Sequence, residues 1–412
     1  MSNSILVVGG GFTGLTAAIE AAELGYDAYI IEKTPFLGGR VAQLNKYFPK
    51  LCPPSCGLEI QFQRIRNNPR IKFFTQAELV SVSGSKGKYK AKVLVRPRHT
   101  VPHGMELGLL ADALEGEVPS EFEFGLANRK ALYRSMPFAF PGRYVLDPAE
   151  LSTKDKIKLA HVKGCLLDEE ARELDLEAGA IVIATGWKPY DVTRLANLGA
   201  GAIKNCISNM QLERLASPFG PTQGLVKRPS DGRAPRSVAF VQCAGSRDQN
   251  HLNFCSYICC MASLKQALYL SEQDPDMRIT IFYIDLRTPG RYMNVLEKVQ
   301  AAPNVRFVKG KVAEITEDRA TGNVTLAAED AVRGEKLTLT FDMAVLATGM
   351  QPTLAGEALP LPASVDEDGF VVGGEEAGIF AAGCARMPLD VMRSAQSGTS
   401  AAMKAVQTVK GR

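Results

Sequence analysis

No run of about 18 apolar residues occurs in the 412-residue chain, which excludes a membrane-spanning helix. Strong charge of either sign is also missing. Lys and Arg number 48 against 44 Asp and Glu, a net of +4 with no concentrated basic stripe, so nothing argues for a nucleic-acid partner. Histidine is scarce, and His103, His161 and His251 stand at no metal-ligand spacing, so none is given a role. No basic segment or small-residue cleavage site precedes the apolar residues 5–8, so a cytosolic protein is expected. Any membrane contact would then come through a partner. Neither a repeat of solenoid length nor a low-complexity tract appears. The nine cysteines are an odd number for a disulfide framework, and disulfides are not expected in a reducing compartment.

What is present is ordinary globular material, 46% hydrophobic and 22% charged, enough for two or three domains. Residues 5–8 read as a buried strand and 9–14, Gly-Gly-Gly-Phe-Thr-Gly, as a tight turn. A helix is expected over 15–24 and a second strand over 27–32. Gly9 allows the turn, Gly11 lets the backbone approach a pyrophosphate, and Gly14 lets helix and strand pack closely. The helix N-terminus offers amide donors and a positive dipole to phosphates. Glu32 can accept from both ribose hydroxyls and would repel a 2′-phosphate. Gly38-Gly39-Arg40 follows, where glycine permits close approach and Arg40 offsets phosphate charge. Two strands, 180–183 and 343–346, each run into Ala-Thr-Gly, the first at Thr185-Gly186. Near the far end, residues 378–384 form a short apolar strand ending at Gly383-Cys384, followed by a polar helical stretch from Asp390 through Gln396 to Ala402. That helix N-terminus would point at a flavin ring and favour negative charge on it.

Between the two Ala-Thr-Gly strands lies another βαβ-like unit: a strand over 237–242, a helix over 255–271 and a strand over 278–285. Its turn carries cysteines where a second glycine fingerprint would stand. Cys255 and Cys259 are four apart, which on a helix shares one face, Cys260 lies about 100° round, and Cys243 ends the preceding strand. Four such thiolates can surround a [4Fe–4S] cube, tetrahedral zinc also accepts Cys₄, and buried or partner-facing thiols remain a third reading. Cys52 and Cys56 could be a dithiol, ligands to a cluster shared with another chain, or structural. Cys165 and Cys206 read as small buried side chains.

The strand, glycine turn, acid, Gly-Gly pair, two Ala-Thr-Gly strands and final Gly-Ile-Phe-Ala-Ala-Gly strand resemble, over nearly the whole chain, the two-dinucleotide-binding-domain flavoproteins of the thioredoxin reductase type. Within them, residues 38–57 and the run 242–248 (Gln-Cys-Ala-Gly-Ser-Arg-Asp) resemble the A subunits of heterodisulfide reductase, and especially their quinone-interacting, membrane-bound branch. The resemblance implies an α/β fold: a Rossmann-type FAD domain, a second degenerate nucleotide-binding-like domain and a β-rich insertion. It implies segments 1–96, 176–235 and 336–412 for the FAD domain, 97–175 for the insertion and 236–335 for the cysteine-bearing domain. Lys33, Val80, Thr185, Gly186, Gly383, Cys384 and Gln396 are then expected beside FAD, and Cys243, Cys255, Cys259 and Cys260 around a [4Fe–4S] cluster, which the resemblance favours. In the wider fold an aspartate stands where Cys384 does. A thiol is a poor acceptor, so Cys384 is expected as a flavin neighbour, not a redox thiol. The insertion resembles a ferredoxin domain that has lost its cluster cysteines. Implied partners are a membrane subunit together with a second flavin/iron–sulfur subunit, with electrons passing between menaquinone and adenylylsulfate reductase at the cytoplasmic side of the inner membrane. Two rivals are a stand-alone NAD(P)H-dependent disulfide or quinone reductase and a non-catalytic flavin scaffold.

Overall fold

The computed structural model describes residues 2–102, 107–159, 162, 164–357 and 360–411; His103 and His161 lie outside them. The first βαβ unit forms where the glycine pattern predicts it, with strand Ser4–Val8, helix Phe12–Glu23 and strand Asp27–Glu32. Ser4–Val8 pairs in parallel on both sides, with Asp27–Glu32 and with Ala180–Ile183. A strand covered on both faces needs a continuous apolar run, and Ile5, Leu6 and Val7 are fully buried. The complete sheet is five parallel strands in the order Ile379–Ala381, Ala180–Ile183, Ser4–Val8, Asp27–Glu32, Ile71–Thr75. Helix Phe12–Glu23 presents Ala17, Ala18, Ala21 and Ala22 inward, and helix Val391–Val409 answers with Ala401, Ala402 and Ala405. These small side chains allow tight packing. A Cβ on Gly398 would stand 2.6 Å from the Thr13 carbonyl oxygen.

A second parallel sheet repeats the plan: Cys206–Ser208, Met343–Thr348, Ser237–Ala244, Arg278–Tyr283, Val305–Lys309. Each sheet carries a three-stranded antiparallel appendage, Ala77–Ser85/Lys88–Val95/Arg172–Ala178 on the first and Val312–Asp318/Asn323–Asp330/Glu335–Phe341 on the second. The chain crosses between the two units at one antiparallel pair, Trp187–Pro189 with Met350–Pro352.

That crossing corrects the segment boundaries. Strand Cys206–Ser208 pairs with Met343–Thr348, so the second unit claims residues assigned above to 176–235, and the return to the first unit falls near 350, not 336. Strand Arg172–Ala178 pairs with Lys88–Val95, so the insertion ends before it. The insertion is mixed, with helices Leu107–Ala113 and Thr153–Leu159 and two small hairpin sheets around their own core of Leu107, Leu132, Leu146 and Leu159. No described helix is long and apolar enough to cross a membrane.

Candidate functional site

Four loops meet at the carboxyl edge of the first sheet, the position at which open α/β sheets bind ligands. Gly38 N–H donates to the Gly10 carbonyl at 2.8 Å, and Gly11 and Gly38 form a bridge. Gly39 lies in the left-handed region at φ +56, where a Cβ would come within 2.9 Å of Gly11 Cα. A Cβ on Gly9 would strike the Ala184 carbonyl, next to Thr185 and Gly186, and one on Gly14 would strike the Gly9 carbonyl. A Cβ on Gly383 would strike the Thr13 hydroxyl, and its N–H donates to Ser397 Oγ at 3.0 Å. Glycine at these positions is therefore demanded by close contact with backbone or a buried side chain. At Gly11, by contrast, an added Cβ would have only Gly39 Cα near it, at 3.8 Å, and the Gly11 amide opens helix Phe12–Glu23 with no side-chain cap. Unsatisfied amides at an uncrowded helix start form an anion cradle.

Glu32 is buried beside that cradle. Gly10 N–H donates to its Oε2 at 2.6 Å, while Thr34 N–H and Oγ1 donate to Oε1, each at 2.8 Å. Burial raises its pKa, and the three hydrogen bonds with the nearby Arg40 charge work against that rise. Arg40 donates to Gln43 Oε1 at 2.9 Å and to the Trp187 carbonyl at 3.3 Å; burial lowers its pKa, and Glu32 opposes the lowering. The Thr185 hydroxyl is buried without a partner, a polar orphan within the same ring of loops. Cys384 is buried with Sγ 3.5 Å from the Leu389 carbonyl, and burial pushes its thiol up to about 11. Lys33 and Gln396 are exposed, and Val80 projects from a bulge between Leu79 and Ser81.

Between the two units lies a cavity of about 90 Å³ lined by Arg40, Tyr47, Trp187, Glu213, Lys265 and Asp390. Lys265 and Glu213 form a buried ion pair at 3.1 Å. Glu213 also accepts from Asn45 N–H at 2.9 Å and Gln266 Nε2 at 2.7 Å, and Lys265 donates to the Lys46 carbonyl at 2.5 Å. The pair thus ties the segment after Arg40 to helices Asn209–Ala216 and Cys259–Gln273 of the second unit. Asp390 caps helix Val391–Val409 by accepting from Arg393 N–H at 2.8 Å, while its Oδ2 is buried without a hydrogen bond. None of Lys265, Glu213 and Asp390 stands out as a site residue in the sequence. Asp390 carries a cap signal; the ion pair has no local signature.

In the second unit the turn after strand Ser237–Ala244 differs from a nucleotide loop. The following helix begins only at Cys259, so Cys255 sits in irregular chain before it, not on its face as the spacing predicts. Cys243, Arg247 and Tyr257 all adopt left-handed φ of 57–65°, strain that clusters at functional sites. Cys259 and Cys260 occupy the first helical turn, where amides and dipole favour thiolates. Every pair among Cys243, Cys255, Cys259 and Cys260 lies within range for ionised charges to repel, and burial chiefly pushes Cys243, Cys259 and Cys260 upward. Arg247 opposes the rise at Cys243, and the charge of Cys255 lifts Arg287 above its ordinary value. Next to Cys243, both amide atoms of Gln242 are buried without partners, as is the Tyr257 hydroxyl. Among the described residues no three His, Cys, Asp or Glu side chains converge tightly enough for one metal ion. Thiolates around a single zinc, at about 2.3 Å from it, would stand only about 3.8 Å apart. The four thiols and the two guanidiniums beside them are the candidate ligands and counter-charges of this unit. Cys52 and Cys56 are free and flank Tyr47, whose hydroxyl is pushed up by burial and by both thiols.

Fold and loops together define a two-dinucleotide-binding-domain flavoprotein, an FAD-dependent oxidoreductase. The family model "FAD dependent oxidoreductase" matches residues 4–49. More narrowly, the chain is similar over nearly its whole length to heterodisulfide reductase A subunits. It is similar to the second iron–sulfur A subunit of CoB–CoM heterodisulfide reductase from Methanopyrus kandleri, 35% identical over 98% of this chain and 64% of that protein. The counterpart in Methanocaldococcus jannaschii is 34% identical over 95% of this chain and 62% of the relative. The A subunit of the H₂:CoB–CoM heterodisulfide, ferredoxin reductase of Methanothermobacter marburgensis is 32% identical over 100% and 65%. The chain therefore spans less than two thirds of these relatives' length. Among solved structures, T. acidophilum thioredoxin reductase (TM-score 0.55, 14% identity, 100% and 99% coverage) and the bacillithiol disulfide reductase of Bacillus cereus (0.55, 16%, 100% of both) share the fold.

Proposed function

We propose that the chain is an electron-transfer subunit holding FAD at the first sheet and a [4Fe–4S] cluster at Cys243, Cys255, Cys259 and Cys260. The observation that carries this reading is the second-unit turn: four mutually close thiols and two guanidiniums stand where a nicotinamide-binding loop would need bare glycine backbone. When bound, FAD supplies exchange between electron pairs and single electrons, and the cluster supplies single-electron steps. The chain positions and tunes them. Gly11 and Gly39 would bring backbone to the pyrophosphate, Gly9 and Gly14 would allow the tight turn and close helix packing that this needs, Glu32 would take the ribose, and Arg40 would offset phosphate charge. Lys33, Val80, Thr185, Gly186, Gly383, Cys384 and Gln396 would stand beside the rest of FAD. Lys265 and Glu213, paired at 3.1 Å, fix the two units against each other at the cavity between them. Arg247 and Arg287 would offset cluster charge.

The relatives' names, subunits of heterodisulfide reductases, support a multi-subunit setting. Within it we assign the chain to the quinone-interacting, membrane-bound branch. Its partners would be a membrane subunit together with a second flavin/iron–sulfur subunit, carrying electrons between menaquinone and adenylylsulfate reductase on the cytoplasmic face of the membrane. The insertion supports that branch, since residues 97–171 contain one cysteine, Cys165, and hold no ferredoxin cluster. Anaerobic stopped-flow tests the core of the reading. Reduced methyl viologen, a one-electron donor, bleaches the flavin rapidly and NADH does so at least a hundredfold more slowly; equally rapid bleaching by NADH overturns it.

A further inference from the structure

The insertion has a single cysteine, Cys165, yet one of its loops reaches the flavin site. Its hairpin Glu117–Pro119/Asn128–Lys130 is closed by the loop 120–127. That loop folds on itself, with Ser120 N–H donating to the Ala127 carbonyl at 2.8 Å and Gly125 N–H to the Ser120 carbonyl at 3.0 Å. Both units grip its tip. From the second unit, Arg214 holds the Glu123 carboxylate by two bonds, of 2.8 and 3.0 Å, and lies over the Phe122 ring at 4.7 Å. Gln211 of the same helix donates to the Phe124 carbonyl at 3.2 Å. From the first unit, Phe36 packs edge-on against Phe122 at 5.5 Å, and Gln43 Nε2 donates to the Phe122 carbonyl at 3.1 Å. The other end of the same buried amide, Gln43 Oε1, accepts from Arg40 at 2.9 Å.

A carbonyl can only accept, so the Phe122 carbonyl fixes which end of the Gln43 amide faces it, and Arg40 therefore meets an oxygen. The flipped amide would set an NH₂ group against a guanidinium, donor against donor. The two arginines at this junction differ in what holds them. Arg214 is neutralised by a buried carboxylate. Arg40 is held by neutral acceptors, the Gln43 amide and the Trp187 carbonyl, and among the described residues it forms no ion pair. Neutral acceptors fix the direction of a cation and leave its charge to a ligand. We propose that the loop 120–127 is a third wall of the flavin site, whose Phe122 carbonyl orients Gln43 and through it aims Arg40 at the FAD phosphates. Gln43 and Glu123 are then positioning residues. This role rests on the flavin reading above and extends it to the insertion, which needs no cluster to fulfil it.

The test measures FAD affinity by fluorescence quenching as the deflavinated full chain is reconstituted, in double-mutant cycles with Arg40→Met. Gln43→Met keeps the length of the side chain and removes both amide contacts. It weakens FAD binding about tenfold, the worth of one hydrogen bond to a charged group. Glu123→Gln, on the insertion and in contact with neither Arg40 nor Gln43, loosens the loop tip and weakens binding in the same direction. In the Arg40→Met background each substitution changes Kd by less than about twofold, because no cation is left to aim. A role in folding alone would cost the same in both backgrounds. Equal losses in the two backgrounds overturn the proposal, and so does wild-type affinity in either single variant. The flavin reading fails separately: a wild-type chain that binds no FAD sinks that reading, and Arg40→Met with unchanged affinity sinks the part given to Arg40. Arg40→Met that weakens FAD while Gln43→Met merely adds to it sinks the positioning alone.

Discussion

Replacing Gly39 by Ala should detach the flavin, and the structure gives the size of the effect. Gly39 has φ +56, where an L residue is strained by about 1–2 kcal/mol. Its new Cβ would also sit 2.9 Å from Gly11 Cα, a backbone atom that cannot rotate aside. Overpacking of this kind adds about 1–3 kcal/mol. The only relief is to part the loops at Gly11 and Gly39, which together form the anion cradle, so most of the combined ~2–5 kcal/mol falls on FAD binding. At 1.4 kcal/mol per decade that is roughly 30-fold to 4000-fold in Kd. Gly25→Ala is the matched control, since Gly25 has φ +92 but nothing within 4 Å of a Cβ. It carries the backbone strain without the collision and should keep FAD. Flavin stoichiometry by absorbance, followed by Kd from reconstitution of the deflavinated protein, reads both. Gly39→Ala with unchanged Kd, or equal FAD loss in Gly25→Ala, would refute the reasoning.

Three further outcomes follow from particular contacts. Lys265→Met leaves Glu213 buried without its cation and should destabilise the second unit by about 3–5 kcal/mol in urea, whereas Lys265→Met/Glu213→Leu recovers most of it; equal losses in both variants would contradict a paired role. Alkylation at pH 8.5 should label the exposed Cys56 and spare Cys206 and Cys384, whose burial pushes their thiols up to about 12 and about 11. Mass mapping that finds Cys206 modified in native protein would contradict this. The same raised thiols hold protons in the folded state that the unfolded chain releases near the ordinary value of 9.0. Their contribution to stability is therefore complete below that pH and declines above it, and Cys206→Ala should flatten that alkaline decline in chemical unfolding.

The first unit was legible because its signals are local: a glycine turn, a helix and an acid within about thirty residues form one βαβ unit, and residues 4–32 fold accordingly. Less local features were misplaced. Strand Cys206–Ser208 owes its place to pairing with Met343–Thr348, some 140 residues on, so composition could not assign it to the second unit. Helical spacing put Cys255 on a helix, but Tyr257 at φ +65 breaks the chain there and delays the helix to Cys259. The glycine positions were readable, and so was the cysteine crowding. The Lys265–Glu213 pair, the orphaned Gln242 amide and the seating of Gln43 on the insertion were not. Each depends on which surfaces the two sheets bring together, and no sequence period records that.

The central claim is that a cysteine-held iron–sulfur cluster stands in the second unit where the fold elsewhere binds a nicotinamide. Its most direct test is iron, sulfide, zinc and flavin analysis of anaerobically purified wild type beside Cys259→Ser/Cys260→Ser. Four irons and four sulfides per chain are expected in the wild type, loss of both in the variant, and one FAD in each. Iron content unchanged by the substitutions, or zinc in place of iron and sulfide, would contradict it.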